Sequence, residues 1–170
     1  MTEIKKESFR DIIWEKCKRG VGKTLVISNM PRDERGNIVS GGVKILHRFG
    51  NGLVVAEKEE TIYVYYRDNR FLEPERRKPT VFPADSSYLF AGMKFKKIVL
   101  GDLEIRGTQP VYPSIDTTRV WNIEGMFQDC DQLESLVITS EFSIDNIQRA
   151  GAVFARYGYI APQYFWDLIS

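Results

Sequence analysis

The feature that most constrains this chain is a spacing that recurs along its second half. Leu133, Leu136 and Ile138 lie 6, 9 and 11 residues after Phe127. Phe95, Ile98 and Leu100 keep the same internal spacing, one residue closer to Phe90. Ile160 and Phe165 hold offsets 6 and 11 from Phe154, with polar Gln163 at the middle position. An apolar pattern repeating in units of about 20–29 residues is the signature of a stacked array. Each unit supplies one short strand, and its side chains complete a core only against the next unit. Phe127 and Phe154 are 27 residues apart. The longer Phe90 to Phe127 interval of 37 residues assigns Glu104–Ile115 (EIRGTQPVYPSI) as an insertion. Residues 81–170 are therefore expected to form a short, degenerate solenoid.

The first half reads differently. Ser8 and Asp11 fit a capping box, and Phe9, Ile12, Ile13 and Cys17 recur at helical spacing up to Gly20, which predicts a helix over roughly 9–19. Thr24–Ser28 (TLVIS) then reads as a strand. Between them, CKRGVGKT (17–24) matches the end of a phosphate-binding loop, with Cys17 where the first glycine belongs. Such a loop needs its strand first and its helix second, so that N–H groups and a helix N-terminus point at the phosphate. Here the order is reversed, and a helix C-terminus repels phosphate. The segment is read as a helix–strand connection and not as a nucleotide site.

After a polar loop (31–42), residues 43–49, 53–56 and 61–67 read as strands separated by turns at 50–52 and 58–60. This predicts a helix plus an antiparallel β-meander of three or four strands over 1–80. Pro74, Pro79 and Pro83 mark the boundary with the second half. The expected fold class is α+β: N-terminal helix and meander (1–80), then the repeat array (81–170).

Alternation in the last of these strands sets Tyr63 and Tyr65 on one face and Ile62, Val64 and Tyr66 on the other. Arg67, Arg70, Arg76, Arg77 and Lys78 follow. Tyrosines beside a basic run are the composition of a single-stranded nucleic-acid surface, where bases stack on rings and cations track phosphates. The alternative is that one tyrosine face is core and the basic run a solvated connector. Charge is uneven, with 17 Lys/Arg against 12 Asp/Glu in residues 1–80 and 7 against 11 in 81–170. Such asymmetry can mark a basic surface that meets an anionic partner.

The segment DTTRVWNIEGMFQDCDQL (116–133) resembles the repeat of the BspA-like leucine-rich-repeat family, which runs D-T-S-x-V-x-x-M-x-x-M-F-x-x-C-x-x-L before a strand. Residues 144–154 and 85–100 resemble it again, so the likeness covers about 85–169. It implies a small leucine-rich-repeat-like solenoid with a binding surface rather than a catalyst. Family members are mostly secreted or surface proteins that adhere to other molecules. This chain departs in its unit count of about three and in an N-terminus without a signal-peptide pattern. Cys130 falls on the family's cysteine position, as a small buried apolar residue.

Little in the chain speaks for chemistry. The two cysteines, Cys17 and Cys130, have no metal-ligand spacing, and His47 is the single histidine. Asp129, Asp131 and Glu134 fall on a turn between a repeat helix and its strand, where solvated carboxylates are ordinary. No cofactor or metal is called for. No apolar run approaches the roughly 18 residues of a membrane helix, so no membrane contact is expected. A reduced, cytoplasmic protein that binds another protein is the expectation, with Trp121, Tyr157, Tyr159, Tyr164 and Trp166 as candidate anchors. A compact binder of this kind would suit a phage or mobile-element inhibitor of a host protein, such as a defence nuclease. Nucleic-acid binding through Tyr63, Tyr65 and the 67–78 basic run is the alternative.

Overall fold

The computed structural model describes residues 3–33, 35–39, 41–102, 113–139 and 141–153. The protein is a mixed α+β structure whose described residues hold one α-helix, α1 (Lys6–Lys16). The strands are β1 (Thr24–Ile27), β2 (Lys44–Arg48), β3 (Leu53–Lys58), β4 (Thr61–Tyr66), β5 (Thr80–Val81), β6 (Lys97–Leu100), β7 (Ile115–Asp116) and β8 (Ser135–Ile138). Six of them form one sheet in the order β2-β3-β4-β1-β6-β8, and β5 pairs with β7.

The expected meander holds for β2, β3 and β4, which pair antiparallel. It does not hold for β1, which runs parallel to both β4 and β6. The prediction assumed that consecutive strands pair. Instead the polar loop after β1 carries the chain to the far edge of the sheet, and β4 returns beside β1. Ile115, assigned to the insertion, belongs to β7; residues 103–112 lie outside the described residues.

Helix α1 also starts and ends earlier than the capping signal suggested. Its N-cap is Lys5, with no side-chain cap bond, and Ser8 lies inside the helix. Tertiary contacts set the start: the Ile4 N–H donates to the Val81 carbonyl at 2.8 Å. Lys6 Nζ donates to the Ser87 carbonyl. Arg10 donates to the carbonyls of Tyr88, Leu89 and Ala91 at 2.6, 3.1 and 2.9 Å. The helix stops because Lys18 and Arg19 enter left-handed backbone at φ 49° and 58°. Gly20 follows at φ 84°, where an added Cβ would stand 2.6 Å from the Phe95 ring. This glycine thus serves close packing between the helix end and the segment that leads into β6. Lys23 is drawn away to an ion pair with Glu57.

The spacing in the second half becomes a register. β6 and β8 pair in parallel with Ile98 opposite Leu136 and Leu100 opposite Ile138, the positions the repeat made equivalent. Phe90 and Phe127 stack with ring centroids 5.4 Å apart. The Phe90 N–H donates to the Met126 carbonyl, and the Phe127 N–H to that of Val153, so successive units also bond along a second line. Asp85 bridges to Asn122 and Asn122 to Arg149, again in parallel. Residues 124–129 form turns rather than the expected repeat helix. The third unit's Phe154, Ile160 and Phe165 lie outside the described residues.

Strand alternation gives the sheet two faces. On the inner face, Leu25, Ile27, Ile62, Val64, Ile98 and Leu100 are fully buried beside Phe9 and Ile13 of α1, in one core that also takes in Phe90, Phe127 and Leu136. That core draws on both halves of the chain. The outer face carries a smaller apolar cluster of Val26, Val54, Ala56, Tyr63, Tyr65 and Val99.

Candidate functional site

The outer face is ordered in rows. Ile45, Ala56, Tyr63, Val26, Val99 and Val137 follow one another across six strands as register partners. One step toward the start of β1, the next row reads Lys58, Thr61, Thr24, Lys97 and Ser135. An apolar row therefore lies beside a row of hydroxyls and ammonium groups. The loop after β1 arches over both, with Arg32, Asp33, Ile38 and Val39 facing Val26, Tyr63 and Val99 across a cavity of about 450 Å³. A second cavity of about 490 Å³ shares Thr24, Glu59, Thr61 and Lys97 with the first and extends to Lys96, Glu134 and Ser135. Together they form a recess across β4, β1, β6 and β8, contributed by both halves of the chain.

The recess is closed at one end by a buried polar cluster. Asp102, 8% exposed, pairs with Arg32 of the overarching loop, Nε to Oδ2 at 3.0 Å. The Asp102 N–H donates to Ser114 Oγ at 2.8 Å, and the Ser114 N–H to Glu141 Oε1 at 2.7 Å. The Ser114 hydroxyl donates to the other Glu141 oxygen. Residues after β6, before β7 and after β8 are thereby tied at one point. Burial, with Glu141 nearby, pushes the Asp102 carboxyl up to about 6 despite Arg32. Gly101, at φ 98°, leaves room there for Thr139 and Glu141, which an added Cβ would strike.

Neither cavity is lined by a histidine or a cysteine. Among the described residues no three His, Cys, Asp or Glu side chains meet as a metal site. Cys17 and Cys130 are buried and unbridged. Burial pushes the Cys130 thiol up to about 12, and it donates to the Phe90 carbonyl at 3.1 Å. His47 packs edge-on to Phe49 at 4.7 Å. Lys96 and Lys23 are engaged by Glu60 and Glu57, whereas Lys58 and Lys97 join no ion pair among the described residues.

The residues singled out in the sequence fare unequally. Tyr63 and Tyr65 share a face as expected, but they are 5% and 0% exposed. Neither ring offers a free stacking surface: of the two readings the sequence left open, the one in which the tyrosine face is core describes these side chains. Arg67, Arg70, Arg76 and Lys78 are exposed; Arg77 is half-buried and its charge acts on Asp102. They lie on the connection after β4, away from the floor of the recess. Trp121 is 37% exposed, while Tyr157, Tyr159, Tyr164 and Trp166 lie outside the described residues. Asp131 is engaged by Lys94 at 2.7 Å.

Sequence reasoning passed over two groups. The recess lysines, threonines and Asp102 carry no motif, since they are gathered by register across strands. Phe71, the most exposed large apolar side chain among the described residues at 78%, stood in plain view inside the basic run. An isolated aromatic in a proline-punctuated polar stretch, with no periodic partner, is the signal that would have found it.

No family model matches the chain, and no curated protein or solved structure matches it either. No helix among the described residues is long and apolar enough to cross a membrane.

Proposed function

We propose that this chain is a non-catalytic protein-binding module, built as a short leucine-rich-repeat-like stack capped by the N-terminal helix and hairpins. The recess on its outer face would receive a segment of the partner. The observation that carries the reading is that recess: an apolar floor of Val26, Tyr63 and Val99 beside an in-register polar row of Thr61, Thr24, Lys97 and Ser135. Apolar contacts supply affinity to such a site, and hydroxyl and ammonium groups fix orientation. The parallel register of Ile98 with Leu136 and the Phe90–Phe127 stack support the likeness to BspA-like repeats. Occupying a partner's surface in this way is how an inhibitor of a host protein, phage-encoded or otherwise mobile, would act.

The test is affinity capture from a native lysate, with and without nuclease, using the wild-type chain and a Thr61→Arg, Lys97→Glu double variant that fills the recess and reverses its charge. A stoichiometric protein partner that survives nuclease and is lost with the double variant, at an unchanged thermal midpoint, supports the reading. Nucleic acid alone on the column, or capture indifferent to the variant, overturns it.

A further inference from the structure

Phe71 sits on a 3-10 turn, Arg67–Phe71, followed by a second at Pro74–Arg76. A phenyl ring that is 78% exposed adds almost nothing to the stability of the fold, so its apolar area is left to be buried by something else. Yet the segment that displays it is firmly fixed. Asn69, fully buried, donates from Nδ2 to the Asn29 and Lys78 carbonyls at 2.7 and 2.9 Å, and its Oδ1 accepts the Lys78 N–H at 2.8 Å. One side chain thereby clamps both ends of the 67–78 segment to each other and to the loop after β1. The ring is held on a closed support, so little ordering entropy remains to be lost on binding.

The charges around it point to the kind of partner. Arg67, Arg70, Arg76 and Lys78 are exposed, and no ion pair among the described residues engages them. Exposed Asp68, Glu73 and Glu75 alternate with them. Three carboxylates in the same stretch oppose a phosphate backbone, and the buried Tyr63 and Tyr65 leave no second ring to stack a neighbouring base. A protein surface accommodates both signs. We infer that Phe71 is the anchor of a protein interface, inserting into an apolar pocket of the partner whose rim carries both signs, carboxylates meeting Arg67 and Arg76 and cations meeting Asp68, Glu73 and Glu75. A rigid aromatic ringed by charged contacts is the usual form of such an anchor. The inference rests on the protein-binding reading above and adds a second contact point to the recess.

The test places the photo-crosslinking residue p-benzoylphenylalanine at position 71 and, as a control, at Val21, which is also exposed but belongs to the helix–strand connection. Each full-length chain is irradiated in native lysate. A discrete protein adduct is expected from position 71 and none from position 21. Excess wild-type chain should suppress it, while Phe71→Ala or Arg76→Glu chain should compete at least tenfold less well with an unchanged thermal midpoint. An equal adduct at both positions, an adduct removed by nuclease, an adduct to a second copy of this chain, or undiminished competition by Phe71→Ala overturns the inference. If the Phe71→Ala chain competes fully but the recess double variant does not, this anchor fails while the protein-binding reading stands. If no protein is captured by any variant, both fail.

Discussion

The two faces of the one sheet are made by the same strands, one residue apart, and they behave differently. Ile98 and Leu100 point inward to helix α1 and a closed core; Lys97 and Val99 point outward under a loop that leaves a recess. The inner face is covered by Phe9 and Ile13 of α1 together with Phe90, Met93 and Phe127 from the turns of the second half. The outer face is covered by a polar loop that contributes only a few apolar side chains, among them Ile38 and Val39. A helix can close a sheet face continuously, whereas an irregular loop must keep its own backbone groups hydrated or paired. Incomplete cover over adjoining rows of Lys, Thr and Val is what leaves a recess on the outer face.

That contrast can be broken most directly by neighbouring deletions. Ile98→Ala should cost about 2–5 kcal/mol in urea unfolding, because a cavity remains where the helix cannot follow. Val99→Ala, bordering a recess that already exists, should cost no more than the transfer term of about 0.8 kcal/mol for each buried methyl or methylene removed. Equal cost per carbon on the two faces would mean that the outer cover packs as tightly as the helix.

A second test sharpens the contrast electrostatically. Burial raises the Asp102 carboxyl to about 6 in the folded chain. Between about pH 4 and pH 6 the unfolded chain has already lost this proton while the folded chain still holds it, so the Asp102 contribution to stability falls as pH rises. The wild type should lose at most about 3 kcal/mol across that window relative to Asp102→Asn, whose slope lacks this step. Parallel stability–pH curves for the two chains would show that the recess end is better hydrated than its burial implies.

The smallest expected effect is the most informative about function. Lys97→Ala should change stability by no more than about 0.5 kcal/mol, as surface replacements generally do. It should nonetheless weaken partner capture measurably. A stability loss comparable to that of Ile98→Ala would assign the polar row to folding instead.

The inner face was legible from residue order. The 6, 9, 11 spacing after Phe127 reappears as strand register, whereas TLVI was legible as a strand but not in its parallel pairing, because pairing depends on where the following loop carries the chain. The site was not legible, because Thr24, Thr61, Lys97 and Asp102 belong to separate segments and carry no spacing relative to one another. Tyr63 and Tyr65 show the same gap: alternation placed them together correctly, and only packing against distant segments decided that they are buried.

By itself, then, the sequence determined which residues share a face, since period and spacing are local properties of a chain with fixed bond geometry. Tertiary structure alone decided that β1 lies between β4 and β6. It also decided where α1 begins, that Phe71 stands in solvent, and that a recess opens over Lys97. Each of these depends on contacts between segments far apart in the chain, made only once the helix and loops have settled on opposite sides of the sheet.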